Sequence, residues 1–272
     1  MPHSSDLLTA ATHVFPNVLL FDGGRYVVAT LVMMVLLAIT HRFGWRARKL
    51  QARDATRSDM VREITASVRS VFIYAAIASP AVWMRWNGYA VGSYTGVPSW
   101  GEVALYVVAL LILHDTWFYW THRAMHAPVL FRTWHRLHHR SITPTPFAAY
   151  AFDWREAILQ VMFVQLFIVL IPTPNLATFI FLGLMIVRNV WGHCGTEFHP
   201  RGFAEHWLWG MFTTTTHHDL HHSGSFGCNF GLYFTWWDRI CGTERPCYRE
   251  TFREITSRGS VDKPCNDIAV AA

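Results

Sequence analysis

Long uncharged runs separated by short polar ones dominate the chain, and run length decides what each can become. Tyr26 to Thr40 gives fifteen such residues, a slightly short membrane span whose ends Arg25 and His41 would snorkel to the interface. Val71 to Met84 is a second run, fourteen residues broken by Pro80, which a helix in lipid tolerates where neighbours satisfy the freed carbonyl. Val103 to Trp120 is a third and carries His114 and Asp115 within it. Ala157 to Val187 then continues for thirty-one residues without a formal charge, interrupted only by Ile-Pro-Thr-Pro-Asn at 171–175. As one helix it would measure about 46 Å, more than the roughly 30 Å hydrocarbon core. The pattern predicts a helical hairpin, shallow or tilted, that returns the chain to the side from which it entered.

Charge orients these segments. Arg42, Arg46, Arg48, Lys49, Arg53, Arg57, Arg62 and Arg69 lie between the first two runs, whereas Trp86 to Trp100 contains no Lys or Arg. The positive-inside rule puts residues 41–70 in the cytoplasm, and the same basic residues would meet anionic headgroups. The third segment comes back to that side and the hairpin does not leave it. The expected fold is therefore all-α: a polytopic membrane protein with about four transmembrane helices, the last two a hairpin, and a cytoplasmic histidine-rich helical cap. Three regions are expected: 1–100, the N-terminal membrane region with its basic loop; 101–245, the region carrying the chemistry; and 246–272, a polar surface tail.

Composition agrees. Apolar residues make up 52% and charged ones 15%, against about a quarter in soluble domains, which argues against a plain soluble enzyme. The net charge of +5 does not indicate nucleic acid, because the basic residues concentrate in one stretch instead of forming an aromatic-interleaved stripe. Cysteines at 194, 228, 241, 247 and 265 form no CxxC pair; although Cys241 and Cys247 are close enough in sequence to be linked, the odd count fits reduced thiols. The N-terminus lacks the basic start and apolar core of a cleaved signal, so the whole chain is read as mature. No internal repeat or low-complexity tract is present.

Thirteen of the sixteen histidines fall between His114 and His222. His122 and His126 in THRAMH are four apart; His135, His138 and His139 in WHRLHHR, and His218, His221 and His222 in HHDLHH, stand at i, i+3, i+4. On an α-helix these offsets put the imidazoles of a cluster on one face, within reach of a common point. Eight such nitrogens exceed what one four- or six-coordinate ion takes, so two metals are implied. His193 in GHCGTEF is the choice for a ninth ligand, and Glu197 and His199 either join it or orient a ligand from outside. Isolated His114 and His206, and His199 on its bland reading, suit ordinary core positions. THRAMH lacks the glutamate of the His-Glu-x-x-His zinc peptidases.

The run from Asp115 through Tyr119, Trp120, His122, Arg123 and His126, then WHRLHHR, then HHDLHH followed by NFGLYFTWWDRICGT, resembles the fatty acid hydroxylase and sterol desaturase superfamily of membrane di-iron oxygenases. The likeness covers about residues 105–245, and HHRSITPTPFAAYAF together with the doubled His217-His218 resembles its carbon-5 sterol desaturase (lathosterol oxidase) branch. It implies two ferrous ions held by His122, His126, His135, His138, His139, His193, His218, His221 and His222, with His217 a further candidate. It also implies O2 as co-substrate and hydroxylation or desaturation of a sterol or fatty-acyl C–H bond.

Phe147, Tyr150, Phe152 and Trp154 could line the lipid's entrance, or serve as core and interface anchors. Asp115 and Asp238 are expected to partner imidazole N–H groups or arginines, with Asn229 and Gly231 setting a turn after the third box. No dinucleotide loop or iron–sulfur spacing occurs, so a separate reductase or small electron carrier is implied. A histidine-rich metal transporter and a zinc-dependent lipid hydrolase are the competing readings. The absence of a terminal retrieval signal favours the bacterial inner membrane over the endoplasmic reticulum.

Overall fold

The computed structural model describes residues 10–91, 94–224 and 226–258, and among them no strand occurs beyond two isolated bridge pairs, Lys49 with Thr196 and Phe212 with Phe234. The first helix, α1, runs Phe15–Arg42, well beyond the uncharged run expected to bound it. Arg25 does not mark an end because its charge is compensated within the helix: Arg25 and Asp22, one turn apart, pair at 2.8 Å with side chains only 12% and 8% exposed. The second, α2, is Arg57–Trp86. It starts at a reciprocal cap, where Thr56 Oγ1 accepts from the Asp59 amide at 3.1 Å and the Asp59 carboxylate accepts from the Thr56 amide at 3.0 Å. Its polar first half is helical as well, and Pro80 sits inside it without ending it.

A second capping box, Ser99 with Glu102, opens α3, Trp100–Met125. The expected hairpin is α4, Trp154–Leu170, and α5, Asn175–Gly192, joined through the proline-containing turn at 171–174. Among the described residues, four helical segments are long and apolar enough to cross a membrane: Thr12–Arg42, Arg57–Trp86, Trp100–Met125 and Asn175–Gly192. Seventeen-residue α4 measures about 26 Å along its axis. Outward positions are apolar, with Val28, Val32 and Leu105 more than 60% exposed, as lipid-facing side chains are. Inside, Tyr26, Tyr74, Tyr150 and Val190 form one core cluster and Leu110, Phe118, Phe163 and Phe181 another.

Hydrogen bonds show which helix ends lie together. At one end His41 Nε2 meets Thr196 Oγ1 at 3.0 Å, Arg48 donates to the His199 carbonyl at 3.1 Å and Arg62 to the Arg140 carbonyl at 3.0 Å. At the other, Arg85 donates to Asn175 Oδ1 at 3.1 Å, and the Val91 amide to the Val169 carbonyl at 3.0 Å. The basic loop and the histidine segments therefore share one end of the bundle.

Three further helices follow: α6, Thr215–Ser223, α7, Trp236–Ile240, and α8, Tyr248–Ser257. The last corrects the expectation of a surface tail from 246. Tyr248, Phe252 and Ile255 recur at helical spacing, are buried, and belong to the face that packs near Ala204 and Leu220. Residues 259–272 of that expected tail, with Cys265, lie outside the described residues. Cys241 and Cys247 are free thiols.

Candidate metal centre

The histidine segments take different backbones. Because α3 continues past its apolar run, His122 rides its last turn and His126 caps it. The second box is not the regular α-helix expected. It begins as a π-helical turn, Phe131–His135, and ends as a single α-helical turn, Arg136–His139. Such a turn inserts one residue and swings the side chains that follow, a local cost that recurs at functional sites. The third box lies on regular α6, whose N-cap Thr214 accepts from the His217 amide at 3.2 Å.

These backbones gather nine imidazoles into two adjoining groups, His122, His126, His135, His139 and His221 in one and His138, His193, His218 and His222 in the other. Within each, one ligand atom per residue lies within 4.8 Å of the rest. A box therefore does not serve one point, as its spacing implied. In the second box the residues four apart, His135 and His139, join the five-membered group while His138 turns to the other; in the third, His218 and His222 join the four-membered group while His221 crosses over. The groups touch, with the His139 and His222 rings stacked at 4.9 Å.

Hydrogen bonding fixes several protons. Nδ1 of His122 faces the Phe230 carbonyl at 3.0 Å, that of His193 the Asn189 carbonyl at 2.7 Å, and that of His221 the Cys228 carbonyl at 2.7 Å; that of His135 faces the Glu156 carboxylate at 2.7 Å. The three carbonyls keep a proton on Nδ1 and leave Nε2 of His122, His193 and His221 as a bare lone pair, and Glu156 does the same for His135 when its carboxyl is ionised. Nε2 of His122 nevertheless stands 3.0 Å from Nε2 of His135, and Nε2 of His193 stands 3.0 Å from that of His218. Where both nitrogens carry lone pairs, as His122 and His135 do beside an ionised Glu156, the contact is repulsive without a cation between them, and the His193–His218 spacing suits two nitrogens sharing one ion. Nitrogens bound at right angles to one ion at about 2.1 Å would be separated by about 3 Å. His221 Nε2 and both ring nitrogens of His126 have no other partner among the described residues. The donor set fits metal ions.

Burial, reinforced by neighbouring imidazoles, holds His135, His138, His139, His218, His221 and His222 well below the usual value of 6.5; burial brings His193 to about 4. These rings are neutral at pH 7, so a metal ion need not displace their ligand protons.

Around them sit the other residues singled out from sequence. Glu197 is buried, accepts from the Thr216 amide at 2.8 Å and lies 2.7 Å from His199 Nδ1, so both stand outside the two groups. His217 is also outside them, its Nε2 3.4 Å from Asp238 Oδ2. Asp238 accepts from the Phe230 and Gly231 amides at 2.9 Å; burial works to raise its pKa, but His217 and these amides hold it below the usual carboxylate range. Asn229 adopts φ 58° and accepts from the Arg245 amide at 2.8 Å while donating to the His217 carbonyl at 2.9 Å, which makes it the pivot of the turn.

Asp115 departs from expectation, since it partners neither imidazole nor arginine. It accepts from the Tyr233 amide at 2.8 Å, the Phe234 amide at 3.2 Å and the Trp236 indole at 2.8 Å, tying the segment after the third box to α3. His114 is a buried core residue 2.9 Å from the Tyr233 hydroxyl. Sequence reasoning missed Glu156, which is buried against His135. Its signal was a lone carboxylate immediately before a charge-free run, a place where it reads as a boundary.

A cavity of about 310 Å³ runs between α1, α2, α4 and α5. None of the nine histidines lines it, but three of its wall residues border the two groups: Phe118 lies 5.0 Å from the His122 ring, Phe152 lies 5.0 Å from the His138 ring, and Asn189 carries the carbonyl that His193 faces. Of the four proposed entrance aromatics, Tyr150 and Phe152 line it, whereas Phe147 is not among its wall residues and Trp154 is 47% exposed with Arg155 over its ring.

Fold and site together define a helical membrane protein with a paired polyhistidine cluster that could hold metal ions at one end of its bundle. The fatty acid hydroxylase family profile matches residues 107–243, half of the chain, and the chain belongs to that family. It is similar to the Delta(7)-sterol 5(6)-desaturase ERG3B of Gibberella zeae, 27% identical over 252 residues covering 88% of this chain and 75% of that protein. It is also similar to the lathosterol oxidase of Rattus norvegicus, 31% identical over 144 residues, and to the cholesterol 25-hydroxylase of the same organism, 30% identical over 169 residues. Those two alignments cover 53% and 61% of this chain and about half of each relative, 46% and 55%. No solved structure matches the chain. These relatives are eukaryotic and lend no support to the expected preference for a bacterial inner membrane.

Proposed function

We propose that this chain is an integral-membrane di-iron oxidoreductase that hydroxylates or desaturates a C–H bond of a sterol or fatty-acyl lipid, with its histidine end in the cytoplasm and residues 101–245 as the catalytic unit. The observation that carries the reading is two adjoining groups of buried, converging imidazole nitrogens bordered by the wall of an apolar cavity. When bound, two ferrous ions supply the oxidation of an unactivated C–H bond by O2 and two external electrons with two protons, giving an alcohol and one water, or an alkene and two waters.

The chain's own residues do the rest. The nine histidines of the two groups would hold the metals, and Glu156 together with the Phe230, Asn189 and Cys228 carbonyls keeps four of the rings facing inward. Phe118 and Phe152 give the wall nearest the two groups its apolar surface, which excludes water and directs a lipid chain towards the rings behind it. Electrons come from a separate reductase or small carrier. Arg132, Arg136 and Arg140, exposed and interleaved with His135, His138 and His139, form a basic face suited to an acidic one.

A transporter would place its ionisable ligands near mid-membrane, whereas these histidines cluster at the bundle end. A zinc hydrolase would keep a carboxylate among or against its ligands as a base, and the one present, Glu156, is turned to His135 Nδ1. The test is metal content, with O2 uptake measured in the presence of reductase and candidate lipids. Two irons per chain and lipid-dependent uptake are expected, with His138→Ala and His221→Ala, one from each group, abolishing turnover and lowering iron. Full activity in either variant rejects that residue as a ligand, and lipid hydrolysis without O2 overturns the oxidation.

A further inference from the structure

Two exposed tryptophans mark where α3 leaves the hydrocarbon. Trp100 and Trp120 are 78% and 46% exposed, as aromatics at a membrane interface are. They stand twenty residues apart, about 30 Å of helix axis and so about the thickness of the hydrocarbon core. Between them Leu105, Val108 and Ile112 form an exposed apolar stripe whose next position, one turn on, is Thr116. Asp115 and Thr116 therefore lie about 6–8 Å inside the boundary at the histidine end.

What attaches at that depth is not a spanning helix. The Trp236 indole donates to Asp115 Oδ2 at 2.8 Å and the Trp237 indole to Thr116 Oγ1 at 3.1 Å, while the Trp237 ring meets Trp120 at 5.5 Å. From Trp236 a row of rings leads away from α3: Phe234 at 4.5 Å, Phe212 at 5.4 Å from Phe234, and Trp209 at 6.3 Å from Phe212. Its outer edge is open, with Trp207 79%, Trp209 49% and Ile240 72% exposed. This apolar surface continues the lipid-facing stripe of α3, and a patch of that kind marks a contact with a partner or a membrane.

The backbone of these segments points to the membrane. Non-helical chain survives at membrane depth only where the protein itself satisfies its polar groups. Here the Thr213 amide donates to the Tyr233 carbonyl at 2.9 Å and the Thr235 amide to the Met211 carbonyl at 2.8 Å. Asp115 takes the amides of Tyr233 and Phe234, and His206 Nδ1 takes those of Leu208 and Trp209 at 3.2 Å. A loop in water would need no carboxylate from an apolar helix for its amides, so the wedge accounts for Asp115. The charge that α7 exposes, Arg239, is matched by Glu244 at 3.1 Å.

We propose that residues 207–212 and 234–240 form a non-spanning wedge inserted into the leaflet at the histidine end of the bundle, with Trp207, Trp209 and Ile240 seated between headgroups and acyl chains. Its partner is the lipid surface itself, and the inference does not depend on which metal the histidines hold. The wedge also sets the depth of the centre. Asp238, within the wedge, accepts the Phe230 and Gly231 amides, and the Phe230 carbonyl faces His122 Nδ1 at 3.0 Å. The histidines are thereby held at the membrane surface and do not stand off from it.

The test is fluorescence quenching of the full chain in phosphatidylcholine nanodiscs, with bromines carried either near the ester end of the acyl chains or near their tips. Thirteen tryptophans emit, so the signal read is the difference between the wild type and the Trp207→Phe/Trp209→Phe variant. That difference should lose intensity to bromolipid, more to bromines near the ester end than to those at the tips, and less to aqueous iodide than to either. Iodide quenching it as strongly as bromolipid overturns the proposal in favour of a solvated loop. Quenching by neither overturns it in favour of a second copy covering the patch, and stronger quenching from the chain tips overturns the interfacial depth. A second measurement needs no variant: a carbene precursor dissolved in the acyl chains should label Trp207 and Trp209 of the unmodified chain, as it labels the exposed stripe of α3. Labelling of the stripe without the two tryptophans overturns the wedge.

Discussion

Replacing Glu156 removes an outer support from one metal group and leaves the other alone. Its carboxylate lies 2.7 Å from His135 Nδ1, with both side chains 1% exposed, so no water can substitute for it. Without that acceptor the proton of His135 is no longer confined to Nδ1, and its move to Nε2 would withdraw a lone pair from the five-histidine group. Outer partners of metal-bound imidazoles are worth about 10–100-fold in affinity, or about 1.4–2.7 kcal/mol. Glu156→Ala should lose about that much. Glu156→Gln retains an acceptor oxygen but not its charge, and a charge-assisted bond is about twice as strong as a neutral one, so its loss should be about 3–10-fold. Because His135 belongs to only one group, chelator titration of the iron-loaded protein should become biphasic, one ion leaving early and the second at the wild-type concentration. Two ions lost in parallel, or two retained as in the wild type, would refute the reasoning.

Two further outcomes follow from burial and from backbone packing. Histidines whose folded pKa lies below the usual 6.5 favour the folded state fully above that value, and the advantage is lost as pH falls through 6.5 towards the folded values, about 4 for His193. Asp219, which burial raises to about 7, and Glu63 in the polar first half of α2, which burial also raises, act in the opposite sense, so the test uses metal-free Asp219→Asn/Glu63→Gln protein in detergent: its unfolding midpoint should shift to lower temperature from pH 6.5 downwards, and a midpoint that rises on acidification contradicts the assigned neutrality. At Gly231 a Cβ would overlap the Phe234 carbonyl and come within 3.0 Å of Asp238 Oδ2, both parts of the turn that presents the Phe230 carbonyl to His122. Gly231→Ala should cost about 1–3 kcal/mol and loosen metal binding at the same group, so an unchanged unfolding midpoint would show that the turn can yield.

The membrane architecture could be read from run lengths because lipid imposes a length on every apolar helix, and the hairpin followed from that arithmetic with the two prolines of its turn. What run lengths misplaced were helix ends. Charged residues bound an uncharged run but not the helix that contains it: Asp22 and Arg25 neutralise one another inside α1, and the polar first half of α2 is held by its capping box and by Ser67 bonding to the Phe147 carbonyl at 2.8 Å. Pairing across a helix turn or between distant segments has no period, so a window of hydrophobicity cannot register it. The amphipathic spacing of Tyr248, Phe252 and Ile255 is present in the sequence, but the charges around it give the segment the composition of a solvated tail.

At the metal centre, spacing located the histidines but could not say how they divide. Offsets of three and four both put side chains on one helical face, so His-x-x-His-His reads as three ligands for one ion. Yet adjacent residues point about 100° apart around a helix, as His138 and His139 must, and a triplet lying between two ions can give each ion its nearer members. The third box meets the pair of groups in the opposite sense to the second, which is why its single crossing residue, His221, completes the group that His138 leaves. The repeated triplet is thus itself an argument for two closely spaced ions, since a single ion would leave the crossing ring of each box facing nothing. Glu156 escaped for the complementary reason: an outer partner is defined only by the ring it touches, and that contact spans twenty-one residues of sequence.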